Sequence, residues 1–177
     1  MSTKRAREIA DIKSGLLSSE EVLVQKALDK MEPKGDASLI PTLISVWEES
    51  ESQKIKRKVE SLMFGLKDKG ALETLIQYIQ TDVSEEKKWL ALNSIWQSGY
   101  DASAYLSELV DFALSNSYTN AIDVMTIIDN SEFDESTEDH VDLNLKRINQ
   151  YILENKSENQ TVLLEIKSIL IDKKIEG

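Results

Sequence analysis

The chain contains no cysteine, so disulfides, thiolate metal sites and a cysteine nucleophile are all excluded. Two prolines and six glycines among 177 residues are too few for the tight turns of an all-β protein. No apolar run approaches the ~18 residues of a membrane helix. The basic residues Lys4, Arg5 and Arg7 are not followed by the apolar stretch of a secretory signal. These features lead us to expect a cytoplasmic protein without a membrane anchor. Residues 99–142 hold eleven Asp and Glu but no Lys or Arg.

With 41% hydrophobic and 30% charged residues, the chain can build a core and is too apolar to be broadly disordered. The formal net charge is -11. Outside residues 99–142 the remaining 21 acidic residues are matched by 21 basic ones, so the whole excess lies in one quarter of the chain. The expected surface is therefore an acidic region, not a uniform acidic coat.

Apolar residues recur at helical spacing throughout. Residues 1–17 read as a weakly amphipathic N-terminal helix or a loose tail, and residues 18–177 as one helical repeat domain. Ser18-x-x-Glu21, Ser50-x-x-Gln53 and Ser157-x-x-Gln160 fit capping boxes. The helix after Ser18 carries Val22, Leu23, Ala27, Leu28 and Met31, and is expected to stop at Glu32-Pro33-Lys34-Gly35. Ile40, Leu43, Ile44 and Trp47 mark the next helix, with Pro41 in its first turn. Ile55, Val59, Leu62, Met63 and Leu66 mark another, ending at Lys69-Gly70, followed by Leu72, Leu75, Ile76 and Ile79. Ser84-Glu85-Glu86 opens a helix through Trp89, Leu92, Ile95 and Trp96, which stops at Ser98-Gly99. Later helices carry Leu106, Leu109 and Val110; Ala121, Ile122, Met125 and Ile128; Val141, Leu145, Ile148 and Ile152; and Val162, Leu163, Ile166 and Leu170. Residues 130–139 form the longest and most acidic connection. No segment reads as a strand.

The blocks around Leu43, Leu75, Leu109 and Leu145 are separated by 32, 34 and 36 residues. A period in this range points to stacked helical hairpins. Lys34-Gly35-Asp36-Ala37-Ser38-Leu39-Ile40-Pro41-Thr42-Leu43-Ile44 resembles a HEAT-like repeat, in which a Gly-Asp turn leads into a second helix. Lys69-Gly70-Ala71-Leu72-Glu73-Thr74-Leu75-Ile76 looks like a second copy, without the turn Asp. Tyr100-Asp101-Ala102-Ser103 with Leu106, Leu109 and Val110 looks like a third, and residues 138–152 like a stretched fourth. The resemblance covers residues 18–152 and is nearest to small bacterial HEAT repeats. It implies an all-α fold, an α-α superhelix of about four helical hairpins plus terminal helices. It also implies a binding role, with no catalytic residues to carry over and no cofactor.

The candidate sites follow from residue chemistry. Trp and Tyr dominate interface energies. Trp47 and Tyr78 fall on second helices, which line the concave face of such stacks, and are read as binding residues. Trp89 and Trp96 are seven apart on one helix, and Trp96 is read as core. Asp101, Glu108 and Asp111 are read as acidic binding residues for a basic partner. His140, the single histidine, lacks a nearby nucleophile or second nitrogen ligand, and reads as a polar residue in a helix's first turn. Asp129-x-Ser131-x-Phe133 departs from a calcium loop at the third ligand, and no Gly follows. Lys54, Lys56, Arg57 and Lys58 form a basic cluster, read as a solvated helix face. The net charge opposes polyanion binding over much of the surface.

The expected function is a non-enzymatic interaction module for a protein or peptide with a basic segment, without metal, membrane or nucleic acid. Two alternatives stand beside it: a nucleic-acid enzyme of the HEAT-like DNA glycosylase type, and an acidic inhibitor or immunity-type protein.

Overall fold

A computed structural model describes residues 3–31, 36–68 and 70–176. The expected stop at Glu32-Pro33-Lys34-Gly35 and the Lys69 position lie outside the described residues. The protein is all-α: 78% is helical, without strands among the described residues. Among the described residues ten α-helices follow in order: α1 Thr3–Leu16, α2 Glu21–Lys30, α3 Ile40–Glu49, α4 Gln53–Phe64, α5 Ala71–Ile79, α6 Glu85–Gln97, α7 Leu106–Ser115, α8 Tyr118–Asp129, α9 Glu138–Glu154 and α10 Gln160–Glu176. Short 3-10 turns at Ala37–Leu39, Ser103–Tyr105 and Glu135–Thr137 lead into α3, α7 and α9. The acidic connection after α8 is thus shorter than expected, because the turn and α9 absorb residues 135–139.

Packing divides the chain into two compact units, Met1–Ser98 and Gly99–Gly177, a division the sequence did not announce. In the first unit, α1 packs most closely on α2, α3 on α4, and α5 on α6. The odd helices also touch one another in series, as do the even ones. The result is two interleaved layers. In the second unit, α7 packs on α8 and α9, and α10 on α8 and α9. The pairing of neighbours is one helix out of step with the turn-based hairpins expected from the sequence. The reason lies in α1, whose Ile12 and Leu16 are buried and whose Gly15 lies against Ala27 of α2.

The core follows the apolar periodicity, with departures at several positions. Leu43, Leu75 and Leu109 are fully enclosed. Leu62, expected in the core, is only half-buried; Ile55, Val59 and Met63 form the buried stripe of α4, and Leu62 stands at its margin. Leu145 is also half-buried. Val22 and Leu23 face solvent, because the buried face of α2 runs through Val24, Ala27 and Leu28.

The helix starts divide into two kinds. Ser84 caps α6 by accepting the Lys87 N–H, with Glu85 and Glu86 in the positive first turn. The three expected capping boxes do not form. Ser18, Ser50 and Ser157 instead accept the N–H two residues on, from Glu20, Ser52 and Asn159, at 3.1, 3.2 and 3.0 Å. Each hydroxyl closes a tight local turn, and the helix begins only after it, at Glu21, Gln53 or Gln160. Gly99, with φ of 68°, follows the end of α6 in the left-handed region that glycine tolerates.

Candidate functional site

The first unit concentrates its aromatic and charged side chains where α3, α4, α5 and α6 converge. Trp47, near the end of α3, stacks on Trp89 of α6 with ring centroids 5.8 Å apart and planes at 27°. The Trp47 indole N–H donates to Glu60 Oε1 on α4 at 2.8 Å. Lys56, one turn earlier on α4, holds its ammonium 5.1 Å from the Trp47 ring centre, a cation–π distance. Next to Trp47, Glu48 accepts from Ser84 Oγ at 2.6 Å and pairs with Lys87 Nζ at 2.5 Å. The Lys87 and Ser84 bonds hold the Glu48 carboxyl below its usual range. The same Glu48 bond raises Lys87. Burial raises the Tyr78 phenol, and the neighbouring Lys87 and Glu48 act on it in opposite senses.

Trp47 and Tyr78, named from helix position alone, thus share a neighbourhood around the Glu48–Lys87 pair, and both are half-buried. Trp89 joins them. Trp96 lies two turns further along α6 and is also half-buried, with its indole N–H buried and without an acceptor among the described residues. Glu48, Glu60 and Lys87 were missed in the sequence. Their roles depend on which helix faces which, and no local spacing encodes that.

The second unit holds the acidity. Residues 99–177 carry sixteen acidic and six basic residues, a net -10, whereas residues 1–98 carry sixteen and fifteen, a net -1. Arg147 of α9 pairs with Asp111 of α7. Lys174 of α10 reaches Glu138 at 3.0 Å and Asp142 at 2.8 Å. Lys173 donates to the Ser131 carbonyl at 2.9 Å and lies 6.0 Å from the Phe133 ring centre. Half of the unit's cations are therefore engaged internally. Asp129, Glu132, Glu135 and Asp139 remain exposed, and their carboxylates form no ion pair among the described residues.

The three acidic residues named from sequence occupy different settings. Glu108 is half-exposed on the first turn of α7. Asp111 is exposed but held by Arg147. Asp101 closes a turn: Oδ1 accepts the N–H groups of Ser103 and Glu132 at 3.0 and 3.1 Å, and Oδ2 accepts the Ser103 hydroxyl at 3.1 Å.

That turn recurs. Asp36 accepts the Ser38 N–H at 3.0 Å, Asp68 the Gly70 N–H at 2.8 Å, and Asp134 the Ser136 N–H at 2.9 Å. Asp36, Asp68, Asp101 and Asp134 are 32, 33 and 33 residues apart, and each precedes an odd-numbered helix. The segment before α5 therefore also possesses a turn Asp. It is Asp68, ahead of the Lys69-Gly70 pair, in the Asp-x-Gly form instead of Asp-x-Ser.

The other candidates resolve simply. His140 is exposed in the first turn of α9. Among the described residues no three His, Asp or Glu side chains converge as a metal site, and Asp134 Oδ1 is engaged by Ser136. In the basic cluster, Lys54 donates to Gln25 at 3.0 Å, Lys56 covers Trp47, and Lys58 pairs with Asp29 at 3.5 Å. Arg57 is exposed. No helix of the described residues is long and apolar enough to cross a membrane. Compared with protein-family profiles, curated proteins and solved structures, the chain matches none.

Proposed function

We propose that the protein is a non-enzymatic, HEAT-like interaction module of the cytoplasm, its helices forming an α-α superhelix, and that it binds a protein or peptide with a basic segment. The observation that carries the partner's chemistry is the net -10 of residues 99–177, with exposed carboxylates left over after the internal pairs. Support for the repeat reading comes from the Asp turn recurring every 32 or 33 residues and from the alternating layers within each unit. A binding role for Trp47 and Tyr78 belongs to the same proposal. Long-range attraction acts mainly on the association rate and weakens as salt screens it.

Asp101 and Asp111 are poor choices for a charge test, since each holds a partner within the fold. Asp129→Lys, Glu135→Lys and Asp139→Lys together reverse exposed charges without cutting a known side-chain bond. Binding of a lysine-rich peptide, followed by fluorescence anisotropy, is expected to weaken about tenfold or more in this variant and similarly between low and high salt. Binding that is indifferent to both changes would overturn the proposal.

A further inference from the structure

A recess in the first unit has a chemistry of its own. It lies between the α1–α2 turn and the α3–α4 turn and is a groove of about 500 Å³, open to solvent along one side. Leu16, Val24, Val46 and Ile55 supply its apolar lining. Leu17, also in the lining, is 65% exposed, and Val22 and Leu23, a few residues on in the same turn and the start of α2, are 60% and 39% exposed. Leu17 therefore leaves apolar surface at the edge of the recess, where it meets water.

The charged members of the lining are all of one sign. Glu21, Glu49 and Glu51 contribute carboxylates, and no lysine or arginine lines the recess among the described residues. The walls are tied together before anything binds. Ser52 at the start of α4 donates to Glu21 Oε1 on α2 at 2.8 Å, and Gln25 donates to the same oxygen at 2.8 Å. Five serines and three glutamates surround a small apolar floor, and a floor of this kind under an anionic rim selects a cationic guest with an apolar tip. The hollow removes an aliphatic or aromatic side chain from water, while the rim opposes acidic sequences and attracts basic ones.

We propose that this recess docks a short partner segment in which one or two large apolar side chains are flanked by lysine or arginine. The recess is lined by residues of the first unit alone, and docking there does not depend on the charge of residues 99–177. An apolar anchor seated there makes the contact less sensitive to salt than a purely ionic one.

The test uses the full chain and three fluorescein-labelled peptides: a lysine–leucine amphipathic sequence, its glutamate-for-lysine counterpart and its alanine-for-leucine counterpart. Methyl NMR locates the contact. The expected result is that the lysine–leucine peptide shifts the methyl signals of Leu16, Leu17, Val24, Val46 and Ile55, while the other two bind at least about tenfold more weakly. Ser45→Phe, which fills the recess from its half-buried wall, is expected to reduce binding by a similar factor. Glu49→Lys with Glu51→Lys, both at exposed positions, reduces it without touching the floor. The reversal at Asp129, Glu135 and Asp139 leaves the methyl shifts in place, which separates this site from the acidic surface. Equal binding of the alanine-for-leucine peptide, or methyl shifts confined to residues 99–177, would refute the proposal. Recess methyl signals that change with protein concentration alone would assign the hollow to a second copy of the chain and refute it as well.

Discussion

The carboxylate of Asp101 reaches across to the backbone N–H of Glu132 at 3.1 Å, thirty-one residues further along. The same oxygen closes the local turn onto Ser103, so one atom joins the start of α7 to the segment that follows α8. Ala102 makes the return contact, donating its N–H to Ser131 Oγ at 3.1 Å. Asp101→Ala should therefore cost more than loss of a turn alone, about 2 kcal/mol from the hydrogen bonds to a charged group. Asp101→Asn keeps an acceptor oxygen and should cost about half as much. Asp68→Ala removes the bond from the Gly70 N–H and should cost about 1 kcal/mol. Urea unfolding of the three variants checks the order, and an Asp101→Ala variant no weaker than Asp68→Ala would contradict this account.

Leu62, Leu75 and Leu109 all lie on apolar stripes of their helices but are not equally buried. Leu75 and Leu109 are fully enclosed, and truncation of either to Ala should cost about 2–5 kcal/mol. Leu62 is half-buried at the edge of the α4 stripe, so Leu62→Ala should lose about 1 kcal/mol, in proportion to the smaller area it buries. Denaturation midpoints at constant slope would measure all three. Equal losses would mean that α4 is rotated from the orientation described.

Much of the fold was legible because helix formation is local. Ten helices, the cap at Ser84 and the stop at Ser98-Gly99 all follow from side chains within a turn or two of each other. The errors occurred where two local solutions compete. Ser18, Ser50 and Ser157 can each serve as a helix cap or close a turn two residues long, and the same sequence pattern permits both. At Val22 and Leu23 the apolar residues outnumber the positions that the buried face can hold, so composition misplaced the register. The Trp47–Trp89 stack was illegible for another reason: forty-two residues separate the rings in sequence, and only the packing of α3 against α6 brings them together. The acidic residues were visible at once, but which of them hold the fold, as Asp101 and Asp111 do, was not.

The ion pair between Glu48 and Lys87 gives a pH signature of definite sign. Bonds from Lys87 and then Ser84 lower the Glu48 carboxyl from its usual 4.5. Its contribution to stability is present above that value and fades as pH falls through the lowered folded value. The bond to Glu48 raises Lys87 from its usual 10.5, so the lysine's contribution is present below that value and fades as pH rises through the raised one. Carbon-detected NMR titration should place the Glu48 midpoint below 4.5, and Lys87→Met should move it upward. A midpoint that ignores the lysine would show that the pair does not persist in solution.

Gly15 sets two opposing effects against each other. Alanine is the better helix former by about 1 kcal/mol, so Gly15→Ala within α1 would stabilise an isolated helix. In the folded protein the added Cβ would stand 2.9 Å from the Cβ of Ala27, too close for two methyl carbons, and Ala27 is 4% exposed with no freedom to turn aside. Relief requires α1 and α2 to separate, which opens the contact that buries Ile12 and Leu16. Overpacking of this kind costs about 1–3 kcal/mol, enough to outweigh the helix gain. We therefore expect Gly15→Ala to destabilise the chain, and Ala27→Gly in the same background to restore part of the loss. Neither substitution removes a polar group, so recovery in the double variant identifies steric contact as the cause. A single Gly15→Ala variant that unfolds at higher denaturant than the parent would show that α1 does not hold this close approach to α2.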